Sequence, residues 1–268
     1  MPFKKEVNLK EKLSITKKTK AIVPVHLFGQ CVDIEPILNL ARKNKIYVIE
    51  DAAQALGAKY KLKSGMEVFA GTIGDIGCTS FFPSKNLGCF GDGGAIFTND
   101  DKLAKKLIMI ANHGESKKYH HKIIGCNSRL DSIQAEVLNI KLKYLNDYNK
   151  TRNQMAENYN KAFKSVEQLH IPELNKNSTH VYHQYTLRVH PIYRDSLRLY
   201  LKGKGIDNRI YYPIPLHKQK VFSKIVDSTY NLPNTNLLSA TCLSLPIHTE
   251  IENSSQKYII DNVLNFFK

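Results

Sequence analysis

The hydrophobic pattern predicts an α/β chain. Ala21 to Val25 (AIVPV) is a short apolar run of strand type, with Pro24 weakening any central ladder. Asp33 then stands where a helix N-cap belongs, ahead of Ile34, Ile37, Leu38 and Ala41 at helical spacing. The β-branched run Ile46 to Glu50 (IYVIE) predicts a buried strand. Strand, helix, strand in this order predicts a parallel crossover unit. Two more strands are expected at Cys78 to Phe82 (CTSFF) and Ala95 to Thr98 (AIFT), separated by the irregular, glycine-rich PSKNLGCFGDGG. From Asp131 the texture turns helical to about Phe163, and Ile133, Val137, Ile140 and Tyr144 mark the expected inner face.

Beyond His180 the alternation of YHQYTLRV predicts a strand and the Leu-rich Arg194 to Lys202 a helix. RIYYPIPLH reads as a proline-punctuated loop, LSLPI as a strand, and the chain closes on a helix to Phe267. The residues before position 20 read as a short charged helix or loop. The expected division is therefore a larger α/β part over 1–150 and a smaller α+β part over 151–268.

Composition narrows the class. At 268 residues, 42% hydrophobic and 24% charged, the chain is of ordinary globular type. No apolar run approaches the roughly 18 residues of a membrane span, and the first residues lack the apolar core of a secretion signal, so a cytoplasmic location is the default expectation. The five cysteines are scattered without a C-x-x-C pair, which argues against a disulfide framework and a zinc site. The net charge of +15 is spread along the chain rather than gathered in a tract. It favours anionic small substrates such as nucleotide diphosphates over specific nucleic-acid binding.

The chemistry gathers around an acid and an amine. Asp51 sits at the carboxyl end of the IYVIE strand, where open α/β sheets place ligands; alone it reads first as a cap on a helix over AAQAL. Lys85, between an aromatic strand and the glycine-rich loop, reads alone as surface. Gly88, Gly91, Gly93 and Gly94 would allow a tight backbone around a planar ligand, although GCFGDGG is neither a Walker loop nor a dinucleotide fingerprint. Taken together, a lysine amine and an acid for a pyridinium nitrogen are what pyridoxal phosphate requires.

The stretches VPVHLFGQ, VIEDAAQALGA, GTIGDIGCTSFFPSKNLGCFGDGGAIFTND, GCNSRLDSIQAEVL, GI-x-x-R-x-YYP-x-PLH and LSLPIH resemble the DegT/DnrJ/EryC1/StrS sugar aminotransferases over nearly the whole chain. The resemblance implies the fold of the aspartate aminotransferase type, a homodimer with shared sites and pyridoxal 5′-phosphate as cofactor. It implies that Lys85 is the Schiff-base lysine and Asp51 the partner of the pyridine nitrogen, with Gln54, one helical turn on, beside the ring and its phenolic oxygen. Ser80 resembles the hydroxyl that binds the cofactor phosphate, and Asn127 the residue that reaches the phosphate across the dimer interface. Arg129 resembles a carboxylate-binding residue, with an ion pair to Asp131 as the competing reading. His26, His217, Tyr211 and Tyr212 lie in motifs near the site; His26, His217 and Tyr212 are carried as substrate contacts against a structural reading of each histidine.

Family members carry a further N-terminal segment with a Gly-Thr phosphate-binding turn and an aromatic residue stacked on the cofactor. The resemblance thus implies a large domain truncated at its N-terminus: a fragment, a decayed gene product, or one half of an enzyme completed by another polypeptide. Loss of that segment would weaken cofactor binding and expose sheet edges. The implied reaction moves an amino group from an amino acid, glutamate being expected, to a nucleotide-linked keto sugar in polysaccharide or glycan synthesis. A UDP-linked 3-keto sugar is favoured slightly over a 4-keto sugar. The related sugar dehydratases have histidine where this chain has Lys85, which sets them aside; a catalytically impaired interaction subunit is the alternative from another class.

Overall fold

A computed structural model describes residues 15–225 and 231–268, in two compact units. The charged segment expected before position 20 lies, as far as residue 14, outside the described residues. The first unit takes residues 1–149 together with Leu174–His183, the second Lys150–Glu173 and Gln184–Lys268. A division at 150 thus needs one exception. Residues 174–183 return to the first unit because their backbone bridges it, Gln30 pairing with His180 and Tyr60 with Ser178. There His180 is buried, its Nδ1 accepts the Tyr182 N–H at 2.9 Å, and burial pushes its pKa down to about 3.

In the first unit, β1 (Ala21–Ile22), α1 (Ile34–Asn44) and β2 (Tyr47–Asp51) form the expected crossover, with β1 parallel to β2. β1 is short, and Pro24 is the reason: it has no N–H for a ladder, yet its carbonyl still accepts from Asp51 N at 2.9 Å. Ile34, Ile37, Leu38 and Ala41 of α1 are buried as their spacing requires. Asp33 does not cap α1; its side chain makes no cap bond and instead accepts from the Tyr60 hydroxyl. The hairpin β3 (Lys59–Lys61) and β4 (Glu67–Phe69) precedes β5 (Ile76–Ser80) and β6 (Gly94–Phe97). The main sheet has the order β1-β2-β5-β6, with β2 parallel to β5 and β5 antiparallel to β6.

Helix α2 (Asp101–Ala111) follows, its start fixed by Asp100, whose carboxylate accepts from Lys102 N and Leu103 N at 2.7 and 3.0 Å. After the small pair β7 (Glu115–Lys117) and β8 (His120–His121), the expected long helix is two, α3 (Ser132–Leu142) and α4 (Leu145–Phe163). The boundary between the units falls inside α4.

The packed face of α3 is turned from the expected one by one residue, about 100° around the helix axis. Ile133, Ile140 and Tyr144 are 74%, 54% and 51% exposed, whereas Leu138 and Leu145 are buried with Leu87 and Cys89. Gln134 and Lys141 share that inner face and hold the glycine-rich loop. The Gln134 carboxamide oxygen accepts from Phe90 N and Gly91 N, and Lys141 Nζ donates to the Gly88 carbonyl at 2.8 Å. Backbone groups of an irregular loop need such partners once removed from water, and two polar side chains supply them.

The second unit contains β9 (Leu169–His170), β10 (Tyr185–Val189), α5 (Pro191–Gly203), α6 (Pro233–Thr241), β11 (Cys242–Leu245) and α7 (Asn253–Phe266). Its antiparallel sheet has the order β11-β10-β9. Tyr185, Leu187, Leu197, Leu201 and Leu243 are fully buried around it. Among the described residues no helix is long and apolar enough to cross a membrane.

Candidate active site

The two central strands end together. β2 and β5 are parallel, Asp51 pairs with Cys78, and Ser80 ends β5 two residues further on. Asp51 and Ser80 therefore stand at the carboxyl edge of the same two strands, the ligand-binding edge of an open α/β sheet.

Asp51 is half-buried. Its Oδ1 accepts from Ala53 N at 3.0 Å, closing an Asx turn, while its backbone carbonyl accepts from His26 N at 2.9 Å. No helix follows it: residues 52–58 form successive turns, with Ala52 N tied to the Cys78 carbonyl at 2.8 Å. The helix-cap reading of Asp51 and the placement of Gln54 one helical turn further are both corrected by this. Gln54 instead reaches back, its Oε1 accepting from Phe28 N at 2.6 Å.

Lys85 follows β5 in a turn closed by its own N–H on the Phe82 carbonyl at 2.9 Å. Its side chain is half-buried. Burial pushes the ammonium pKa below the ordinary lysine value, and the Asp51 carboxylate, close enough to be felt, opposes that shift. The same carboxylate and burial together raise the Cys78 thiol, burial being the larger cause. Amine and acid thus belong to one electrostatic neighbourhood. Ser80 Oγ accepts from Phe82 N at 3.2 Å, and among the described residues no acceptor takes its hydroxyl hydrogen.

The glycines make the loop's backbone as tight as expected. A Cβ on Gly88 would lie 2.6 Å from the Pro83 carbonyl oxygen, and one on Gly93 would lie 3.0 Å from both Cys89 Sγ and Leu130 Cδ1.

His26 is not a substrate contact. It is fully buried; Nδ1 accepts from Val32 N at 3.2 Å, so the hydrogen is on Nε2, which donates to Glu50 Oε2 at 2.8 Å. Glu50 also accepts from Gly71 N, Ile73 N and Gly74 N at 2.9, 2.6 and 2.6 Å. Burial alone would raise the Glu50 carboxyl. The bonds from His26 and the three backbone N–H groups outweigh it and hold the pKa below the usual value. Glu50 thus clasps the 71–74 turn against the strand that carries Asp51, a role that its place inside a hydrophobic run concealed.

Removing the clasp has a stated cost. Glu50→Ala leaves His26 and three backbone donors unpaired in the interior, and is expected to lower unfolding stability by about 3–5 kcal/mol. Because the folded pKa is depressed, Glu50 contributes its stability above the unfolded carboxylate value of about 4.3 and loses it as pH falls through the lower folded value. Urea unfolding of wild type and variant at neutral pH and near pH 3 should show the gap narrowing in acid. A gap under about 1 kcal/mol at neutral pH contradicts the role.

Asn127 and Arg129 lie in the exposed segment before α3. Asn127 bridges Asn112 through the backbone, and among the described residues neither side chain bonds to Lys85, Asp51 or Ser80. The Arg129–Asp131 ion pair is likewise not formed among the described residues. In the second unit, Tyr212 is exposed and meets Tyr211 edge to face at 5.5 Å. His217 sits in the short 3-10 turn Leu216–Lys218, where its buried Nε2 has no hydrogen-bond partner.

Comparison with known proteins places the chain among aminotransferases. The chain is 42% identical over 252 residues to a UDP-2-acetamido-2-deoxy-3-oxo-D-glucuronate aminotransferase of Pseudomonas aeruginosa, covering 94% of this chain and 67% of that protein. It is 43% identical over 238 residues to a UDP-N-acetyl-3-dehydro-alpha-D-glucosamine 3-aminotransferase of Acidithiobacillus ferrooxidans, covering 89% and 62%. Its fold superimposes on the crystal structure of S. venezuelae DesV in complex with a ketimine intermediate, with a TM-score of 0.90, 36% identity and coverage of 97% and 68%. The chain thus spans about two thirds of the length of these proteins. Residues 7–264 match the DegT/DnrJ/EryC1/StrS aminotransferase family, whose aminotransferases use pyridoxal phosphate, and the chain belongs to that family.

Proposed function

We propose that this chain carries the amine and the acid of a pyridoxal-phosphate-dependent aminotransferase that passes an amino group to a nucleotide-linked keto sugar. The observation that carries the reading is the half-buried Lys85 amine within the field of Asp51, at the shared carboxyl edge of β2 and β5. The residues fit the cofactor by their chemistry. Lys85 has an amine whose burial favours the neutral, nucleophilic form, Asp51 an acid for the pyridine nitrogen, and Ser80 a hydroxyl hydrogen for a phosphate oxygen.

When bound, pyridoxal phosphate supplies an electrophilic aldehyde and a ring that draws electrons from the substrate carbon. In this role Asp51, fixed by its bond from Ala53 N, holds the proton on the ring nitrogen. Lys85 anchors the aldehyde carbon and, once released, carries a proton between the substrate carbon and that same atom. Gln54 orders the 26–30 turn through Phe28 N and lies beside the ring. Arg129 offers a planar guanidinium to a substrate carboxylate, and the unpaired His217 Nε2 a contact to substrate; Tyr212 stands with it in the same loop.

The proposed acceptor is a UDP-linked 3-keto sugar, by analogy with the two relatives above, and the proposed donor is glutamate. The excess positive charge suits a nucleotide diphosphate. We place the protein in the cytoplasm, in polysaccharide or glycan synthesis, as a homodimer. The exposed Ile133 and Ile140 of α3, with Tyr144 just beyond its end, are the kind of apolar face that a second copy covers, and Asn127 would reach the cofactor phosphate of the partner subunit's site.

Purified protein given pyridoxal phosphate, glutamate and a UDP-linked 3-keto sugar should form 2-oxoglutarate and the amino sugar. Transfer to a 4-keto sugar alone contradicts the assigned acceptor. No transfer to either, with the cofactor firmly held on Lys85, contradicts catalysis by this chain.

A further inference from the structure

Immediately after Lys85 the chain dives inward, and the first residue to do so is polar. Asn86 is 9% exposed, and both amide hydrogens and the oxygen of its carboxamide have partners. One Nδ2 hydrogen goes to Asn149 Oδ1 at 2.7 Å on α4, the other to the Val181 carbonyl at 2.9 Å. A backbone carbonyl can only accept, which fixes the amide orientation and turns Oδ1 toward His183 Nδ1 at 3.3 Å. That ring nitrogen therefore carries the hydrogen and donates. Nothing in the reaction outlined above uses Asn86, and a buried asparagine is costly unless its groups are paired.

The anchors themselves are close-packed. A Cβ on Gly29 would sit 2.9 Å from Val181 Cγ2 and 3.0 Å from His183 N, and a Cβ on Gly57 would sit 2.7 Å from Asn149 Nδ2. Val181 N is further tied to the Gly29 carbonyl at 2.9 Å. The segment 180–183 and the start of α4 are thus fixed points.

We propose that Asn86 is a positioning residue for Lys85: its carboxamide ties the lysine turn to Asn149, Val181 and His183 and so aims the amine at the cofactor aldehyde. The inference rests on the assignment of Lys85 above. Around the lysine the turn closes on itself through Lys85 N to the Phe82 carbonyl and Cys89 N to the Phe81 carbonyl at 2.9 and 2.8 Å. Lys141 and Gln134 hold the loop further on, from Gly88 to Gly91, and Asn86 supplies the long-range tie next to the lysine itself. A side chain that must present one atom within reaction distance loses rate steeply when its support shifts by about 1 Å, about 10²-fold by precedent.

The test separates aiming from folding. Wild type, Asn86→Ala and Asn149→Ala are incubated with pyridoxal phosphate, reduced with borohydride and mapped by mass spectrometry, with the surface lysines of the same sample as internal reference. Non-covalent affinity is measured in parallel with 4-deoxypyridoxine 5′-phosphate, which has no aldehyde to capture. Expected are an initial capture rate at Lys85 falling about 10²-fold in Asn86→Ala, unchanged labelling of surface lysines, and analogue affinity within about threefold of wild type. Asn149→Ala should show a smaller loss, and the double variant less than the product of the two, since both act through one bond.

Capture at Lys85 in Asn86→Ala equal to wild type overturns the inference alone. Parallel loss of capture and analogue affinity in both single variants also overturns it, leaving Asn86 a purely structural residue. Should Asn86→Ala not fold, Asn149→Ala decides by the same two readouts. A wild type that captures nothing at Lys85 overturns the functional assignment itself.

Discussion

Lys85→Ala is expected to abolish amino transfer, with a loss of at least about 10⁴-fold, since the variant lacks both the anchor for the aldehyde and the proton carrier; the latter alone contributes about 10²–10⁴-fold. Lys85→Arg should do no better. A guanidinium stays protonated at any working pH, so it retains charge and length but neither nucleophilicity nor proton transfer. The unfolding midpoint of Lys85→Ala should stay close to wild type, whereas Lys85→Arg, which cannot shed its charge in a half-buried place, should be less stable. Burial already opposes the charged form of this amine, so the folded protein gains nothing from holding an ammonium there. Single-turnover mixing with the amino-acid donor reads the loss directly. Residual transfer within tenfold of wild type contradicts the role.

Asp51→Asn carries the second large effect, in two opposed parts. Without a carboxylate to keep the ring nitrogen protonated, turnover should fall about 10²–10³-fold, the usual scale for removing one preorganised electrostatic partner of a transition state. Capture of the cofactor should respond in the other direction. The Asp51 charge raises the Lys85 pKa against the lowering effect of burial; its removal leaves burial unopposed and lowers the amine pKa further. The pH midpoint for covalent capture should therefore move down, so the variant captures pyridoxal phosphate at lower pH than wild type while turning over more slowly. An upward shift, or no shift together with full turnover, contradicts the electrostatic coupling of the pair.

Much of the framework was legible because the relevant residues obey a single period. The apolar positions of α1 and the alternation at the end of β10 each bury the face their spacing predicts, whereas the run of β2 buries Val48 and Glu50 and leaves Tyr47 exposed. Asp51 and Lys85 could be paired because cofactor chemistry asks for both at once, although each alone read as ordinary. The failures share a cause: polar side chains bound to backbone leave no periodic trace. Gln134 and Lys141 belong to the packed face of α3 because the loop over Gly88 to Gly91 needs partners for its peptide groups. Sending the apolar residues inward turns the helix one residue, about 100°, away from this face.

Likewise, AAQALGA has a helical composition but forms turns, since Ala52 N is drawn to the Cys78 carbonyl and Gly57 adopts φ of 86°. Glu50 and Asn86 were hidden by their neighbours, each standing beside the residue that drew attention. The two helices overlooked had readable starts, Asp100 before α2 and Pro233 opening α6.

The central claim is that one amine in this lysine-rich chain differs chemically from the rest. Borohydride fixation of pyridoxal phosphate at limiting concentration, followed by peptide mapping of the wild-type protein, tests it most directly. Phosphopyridoxyl lysine is expected at position 85, in preference to every other lysine. Label scattered over surface lysines of the folded protein, with Lys85 unmodified, would contradict it.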